Sequence, residues 1–171
     1  MPPPLRGVLL GPPHRSAAVH APAGRASRLS RAGTNPHYDR RVSSDDFRAL
    51  GDEPFVLLTT FRRTGEPVPT PVWIVRDGDR LLVTTVANSG KVKRIGHTSR
   101  IELVASDRVG VVTEGAPVIV AEARADDSDE VRSVLDDALV AKYGDRYREV
   151  RSAREASRPD LRSTALVITP V

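Results

Sequence analysis

Apolar positions change their spacing several times between Phe47 and Val167, and each change marks an element. Residues 54–62 read Pro-Phe-Val-Leu-Leu-Thr-Thr-Phe-Arg, rich in β-branched and aromatic side chains, and predict a strand. Arg63-Thr64-Gly65-Glu66 supplies a turn, so residues 68–76 are expected to return beside it. The turn Asp77-Gly78-Asp79 tolerates the positive φ of a tight hairpin and sends residues 80–86 back as a third strand, giving a meander. After Ala87-Asn88-Ser89-Gly90 the pattern becomes a short basic helix, Lys91-Val92-Lys93-Arg94-Ile95, with Ser89 placed to cap it. Strands over 101–106 and 118–124 follow, the second after a Gly115-Ala116-Pro117 break. Val131, Val134, Leu135, Ala138, Leu139 and Tyr143 then recur at helical spacing, with acids at 127–130 near the positive end of the dipole and Lys142 near the other. A further helical stretch over 145–156 and a closing strand over 164–169 complete the chain. At the start of this region, Ser43-Ser44-Asp45-Asp46 caps a short helix containing Phe47 and Leu50, which Gly51 stops.

Six or so strands of similar length, interrupted by one short and one longer helical excursion, predict a mainly β domain built as a small antiparallel barrel. A doubly wound parallel sheet needs a crossover helix after nearly every strand, and none of the first three has one.

Residues 1–41 lack any such period. They are dense in Pro, Gly, Ala, Ser and Arg and are expected to be a disordered basic tail, with residues 42–171 forming the single folded domain. A solvated extension and upstream codons read into the coding sequence are both consistent with that composition, since Met1 is the only methionine. The tail carries seven arginines against one acid. The remainder holds 19 Lys plus Arg against 21 Asp plus Glu, so the domain is slightly acidic and the overall +4 belongs to the tail. That distribution argues against a nucleic-acid-binding domain despite a sequence pI near 9.9. With no cysteine, disulfides, thiolate metal sites and cysteine nucleophiles are excluded. No run approaches the roughly 20 apolar residues of a spanning helix, and Pro12 and Pro13 cut off Val8-Leu9-Leu10 before a secretory core develops. The expected location is the cytoplasm.

Two stretches carry candidate chemistry. Prolines at 67, 69 and 71 alternate along an expected strand and each removes a ladder donor, which predicts an edge or irregular strand. Trp73, the only tryptophan, suits a cover for a flat ring, a dimer seam or a core position. In the second stretch, a strand ending in Thr84-Thr85 meets Asn-Ser-Gly and a helix opening with Lys91 and Lys93. Hydroxyls, free amides and two ammonium groups are thereby collected where a phosphate can bind, although a basic helix is also often just a solvated face. Only three lysines occur in the whole chain, and two are here. His14, His20 and His37 lie in the tail and leave His97 alone in the domain, so a histidine metal cluster is excluded and a Ser-His-Asp triad lacks support. Neither a Walker loop nor a Gly-x-Gly-x-x-Gly fingerprint is present.

Taken together, Leu-Leu-Thr-Thr-Phe-Arg at 57–62, Gly-x-Pro-Val-x-Thr-Pro-Val-Trp at 65–73 and Ser-Gly-Lys-Val-Lys-Arg at 89–94 resemble the pyridoxamine-phosphate-oxidase-like split-barrel superfamily. The likeness is narrower to its actinobacterial branch that uses the deazaflavin coenzyme F420, runs over residues 54–170, and includes Lys142-Tyr143-Gly144. The sequence departs from the family after the third motif, with Thr98-Ser99-Arg100-Ile101 where relatives tend to have Asn-Pro-Arg-Val. The resemblance implies a split β-barrel homodimer with two equivalent cofactor sites at its interface. It implies that Ser89, Gly90, Lys91 and Lys93 hold the cofactor phosphate, and that Thr59, Thr60, Pro71, Val72, Trp73 and Thr85 line its ring and linker. The implied activity is hydride transfer between coenzyme F420 and a small organic acceptor. FMN is the alternative cofactor on the same fold, and a protein that holds a cofactor or tetrapyrrole without turnover is the alternative function.

Overall fold

Ser43 opens the first helix by a reciprocal cap. Its hydroxyl accepts the Asp46 N–H while the Asp46 carboxylate accepts the Ser43 N–H, which satisfies two amides at the head of α1 (Ser44–Ala49). The computed structural model describes residues 43–171, and the segment 1–41 expected to be disordered lies outside them. A 3-10 turn over Leu50–Asp52 continues the helix. Gly51 is required there, because a Cβ on it would stand 2.6 Å from the Cβ of Arg76.

The strands are β1 (Phe55–Phe61), β2 (Pro67–Val72), β3 (Val75–Asp77), β4 (Arg80–Val86), β5 (Arg100–Ser106), β6 (Ile119–Asp126) and β7 (Ser163–Pro170). Helix α2 (Gly90–Ile95) lies between β4 and β5, and α3 (Asp129–Tyr143) and α4 (Asp145–Ser157) lie between β6 and β7. All seven strands pair antiparallel in one sheet, in the order β2-β1-β5-β6-β7-β4-β3. The mainly β split barrel with short helices is therefore the architecture found.

One expectation changes. Residues 68–76 form two strands, and the expected three-strand meander is replaced by two hairpins at opposite edges of the sheet. Val72 pairs with Val56 of β1, whereas Val75 pairs with Leu82 of β4. Only Trp73 and Ile74 separate these pairings, and three residue steps reach roughly 10–11 Å. The sheet must curl until its two edges nearly meet.

Inside the curl, alternate residues of each strand make one core: Val56 and Leu58 of β1, Leu81 and Val83 of β4, Ile101 and Leu103 of β5, and Leu166 and Ile168 of β7. Phe47 and Leu50 enter it from the N-terminal helix and turn, and Ile95 from α2. The opposite faces of β4 and β7 are buried as well. There Leu82, Ala165 and Val167 pack with Val75 against Val131, Leu135 and Leu139 of α3 and Tyr147 of α4. Burial on both faces explains the unbroken apolar runs at 81–83 and 165–168.

β2 is an edge strand, as its prolines require. Pro67, Pro69 and Pro71 pair opposite Phe61, Thr59 and Leu57. Because proline donates nothing, Val68, Thr70 and Val72 must supply the bonds to β1, and the prolines aim their missing donors at the open edge. That edge cannot accept a further strand there.

A clamp holds the crossing point. Lys142 Nζ, at the end of α3, donates to the carbonyls of Gly51 at 2.5 Å, Glu53 at 2.6 Å and Ile74 at 2.8 Å. The Tyr143 hydroxyl accepts the Ile74 N–H at 3.2 Å and lies 3.0 Å from the carbonyl oxygens of Pro54 and Ile74, which share its proton. Trp73 stacks on the Tyr143 ring at 5.0 Å with 20° between planes. Among the described residues, no helix is long and apolar enough to cross a membrane.

Replacing Lys142 by Met keeps most of the apolar stem but leaves three carbonyls without their charged donor. We expect a loss of about 2–4 kcal/mol, on the scale of lost charge-assisted hydrogen bonds, read as a lower urea midpoint at unchanged slope. A midpoint equal to that of the unaltered protein would remove the clamp from its structural role.

Candidate functional site

Helix α2 has only six residues, so its own dipole is small and any attraction for an anion rests on its side chains. Ile95 is drawn into the barrel core with Val92 packed beside it, which fixes the rotation of the helix. Lys93 is left exposed, while Lys91 and Arg94 are half-buried. Ser89 caps the helix through its hydroxyl, which accepts the Val92 N–H at 3.5 Å.

Thr60, Thr85, Ser89, Gly90 and Lys91 come together at this end of the barrel. Thr60 and Thr85 are nearly fully buried and fall in the inward-facing sets of β1 and β4. Lys91 Nζ donates to Thr85 Oγ1 at 3.3 Å, and Thr85 Oγ1 lies 3.4 Å from Ser89 Oγ. Arg94 joins the group from one turn further on, donating from Nε to Thr60 Oγ1 at 2.7 Å. Its guanidinium crosses Gly90, where a Cβ would stand 2.9 Å from Nη1, so the glycine leaves room for it. Arg94 is absent from the residues singled out by sequence. The available signal was its position four residues after Gly90, which in a helix shares a face with it.

The charge of this group is uncompensated. Among the described residues, none of Lys91, Lys93 and Arg94 forms an ion pair. Burial, and then repulsion from Arg94, pushes the Lys91 ammonium below the ordinary lysine range. A partly desolvated pair of cations beside two hydroxyls attracts an oxyanion, which would supply the missing negative charge and accept from all of them.

The remaining sequence candidates lie elsewhere. Thr59 faces away from Thr60, level with Pro69 and Glu102. Pro71 pairs opposite Leu57, and a Cβ on Gly110 would meet both. Val72 is buried in the core opposite Val56. Trp73 stacks on Tyr143, meets Tyr147 edge-on at 6.0 Å, and lies 6.3 Å from Phe55. Val72 and Thr60 sit four ladder steps apart, roughly 13 Å along the strand, and both are buried.

Beyond α2, an open groove is lined by Phe61, Arg62, Arg63, His97 and Arg100, with the Arg100 guanidinium 4.7 Å above the Phe61 ring. Among the described residues, no three His, Cys, Asp or Glu side chains gather as a metal site.

A family model described as pyridoxamine 5'-phosphate oxidase matches residues 44–171. Solved structures with a similar fold include a conserved hypothetical protein from Mycobacterium tuberculosis, 16% identical over 78% of this chain and 83% of that one, at a TM-score of 0.55. A FAD-binding protein from Mesorhizobium loti is 14% identical over 74% of this chain and 85% of its own, at 0.51. A heme storage protein from Vibrio cholerae is 14% identical over 74% and 87%, at 0.50. These identities speak to fold alone. No curated protein matches the chain by sequence.

An oxyanion held by Lys91 needs the protonated ammonium, whose pKa is depressed. Affinity for phosphate should therefore fall as pH rises through a range below that of an ordinary lysine, as binding titrations across pH will measure. The Lys91→Met variant should lose that pH dependence, and an unchanged profile in it would exclude Lys91 from the site.

Proposed function

The chain belongs to the pyridoxamine 5'-phosphate oxidase family, and on that footing we propose that it is an oxidoreductase holding a phosphate-bearing deazaflavin or flavin. We assign coenzyme F420 as the cofactor, with FMN the alternative, and hydride transfer to a small organic acceptor as the reaction. The observation that carries this reading is the set of unpaired cations on α2 set against the Thr85 and Ser89 hydroxyls. Its donor chemistry fits a phosphate. Lys91, Ser89 and Arg94 would hold that group, with Lys93 adding charge from the exposed side of the helix.

When bound, such a cofactor supplies the hydride chemistry at its own ring. The protein's part is positioning. The ring is assigned to Thr59, Pro71 and Trp73 on the sequence motifs alone, since Thr59 and Pro71 lie on the face of β1 and β2 opposite Thr60. The choice of F420 over FMN rests on the three sequence motifs. A FAD-binding protein of the same fold is in keeping with a flavin-type occupant.

We also propose that the chain acts as a homodimer. Asp107 Oδ1 accepts from the N–H groups of Val109 and Val111, shaping a loop that presents Val109 at 71% and Val111 at 64% exposure. Gly110 seats that loop against Leu57 and Pro71, and Val120 is exposed on the neighbouring β6. Exposed apolar groups of this kind suit a partner surface. Light scattering should give twice the chain mass, and Val109→Asp with Val111→Asp should shift it toward the monomer. A full-sized monomer in the unaltered protein would overturn the dimer.

A second reading is a tetrapyrrole-binding protein. His97 stands in the open groove beside Arg62 and Arg63, which offers an imidazole for iron and guanidinium groups for propionates. A heme storage protein of the same fold is in keeping with it.

Fluorescence titration of the full chain with coenzyme F420, FMN and heme in parallel separates these readings. We expect micromolar or tighter binding of F420, lost in the Lys91→Ala, Lys93→Ala double variant while circular dichroism stays unchanged. Unaltered affinity in that variant would overturn the phosphate assignment. Preference for FMN would move the cofactor to the flavin, and binding of heme alone would favour the second reading.

A further inference from the structure

Thr84 and Thr85 are adjacent on β4 and face opposite sides of the sheet, so the strand that serves the α2 cluster also opens onto a separate cavity. This cavity, of about 220 Å³, lies between α3, α4 and the β4–β7 ladder, with Leu135 and Ala165 among its walls. Its polar lining is unevenly satisfied. Arg151 makes a two-pronged contact with Asp136, at 2.5 and 2.6 Å, and reaches Glu155 at 3.6 Å, which engages both carboxylates of the cavity wall. Tyr147 donates to the same Asp136 at 2.7 Å, and burial together with that bond pushes its phenol up to about 12, so it remains a donor fixed on Asp136. Arg132 turns to Asp129 outside the lining.

Arg154 is therefore the surplus cation. Among the described residues it has no carboxylate partner; it is half-buried and donates to Ser163 Oγ. Because Ser163 Oγ already accepts from Arg154, its own proton is left to point at another acceptor. Thr84 also lines the cavity, and its hydroxyl bonds to no described side chain or backbone group. Arg154, Ser163 and Thr84 thus line one volume with donors to spare, while the carboxylates of its wall, Asp136 and Glu155, are engaged by Arg151.

We propose that this cavity is a second ligand site, independent of the α2 cluster, and that it binds a phosphate group through Arg154, Ser163 and Thr84. A tetrahedral oxyanion offers acceptors to all three donors at once, whereas a planar carboxylate is satisfied by the guanidinium alone. Arg151, locked by Asp136 and Tyr147, forms the rigid wall rather than a ligand contact.

The test is a two-dimensional NMR titration of the full chain with inorganic phosphate at constant ionic strength, with sodium acetate as the parallel arm. We expect saturable shifts at the amides of Thr84, Arg154 and Ser163 with phosphate, and a markedly weaker response to acetate. The Arg154→Gln variant should weaken phosphate at this site at least about tenfold, and Ser163→Ala should weaken it less. If Arg154→Gln proves poorly folded by circular dichroism, Ser163→Ala decides. The Lys91→Ala, Lys93→Ala variant should leave these shifts in place, which separates this site from the one on α2. Linear shifts without saturation, an equal response to acetate, or shifts untouched in both cavity variants would overturn the proposal.

Discussion

The three hydrogen bonds from the Lys142 ammonium to Gly51, Glu53 and Ile74 hold the place where the sheet closes on itself. Those carbonyls come from the N-terminal turn and from the link between the two edge strands, and they have no ladder there to satisfy them. One cation at the end of α3 gathers them, and Tyr143 adds its hydroxyl and a ring for Trp73. Burial pushes the Lys142 pKa down, with the nearby Asp52 and Glu53 opposing the shift. The glycine at 51 belongs to the same junction, since only a residue without Cβ lets the turn approach Arg76 so closely.

From that closure the other features follow. With the edges drawn together, the inner face becomes a sealed core, and the outer faces of β4 and β7 become a second surface that α3 and α4 must cover. β4 is left as the strand between two environments. Thr85 ends on the inside, beside α2, and Thr84 ends on the outside, beside Arg154. Both places concentrate positive charge without a full set of carboxylates. A fold selected for stability alone gains little from cations left without a carboxylate in partly buried surroundings. The two proposed ligand sites rest on that placement.

The open edge is managed differently. Prolines at alternate positions of β2 leave β1 fully paired while denying donors to any newcomer, and the valine-bearing loop after β5 lies beside them. Edge protection and apolar exposure thus occur on neighbouring surfaces, so the proposed dimer contact rests on side-chain packing and not on strand addition.

The sequence by itself determined the local elements, because each rests on neighbours in the chain. The Ser43 and Ser89 caps, the Gly78 turn, the helical spacing over Val131 to Tyr143 and the edge character imposed by Pro67, Pro69 and Pro71 were all legible in this way. The mainly β class and the gathering of Thr85, Ser89 and Lys91 were legible too, since a strand end, a cap and a first helical turn are joined by only a few residues. The division of 68–76 into two strands was not. Val72-Trp73-Ile74-Val75 is an unbroken apolar run, and nothing in it says that its two ends pair with β1 and β4 on opposite edges. The roles of Lys142, Arg94 and Arg154 were hidden for the same reason. What a long cationic side chain does depends on which distant carbonyls, hydroxyls or carboxylates the closed sheet brings within about 3 Å of it, and only the tertiary structure decides that.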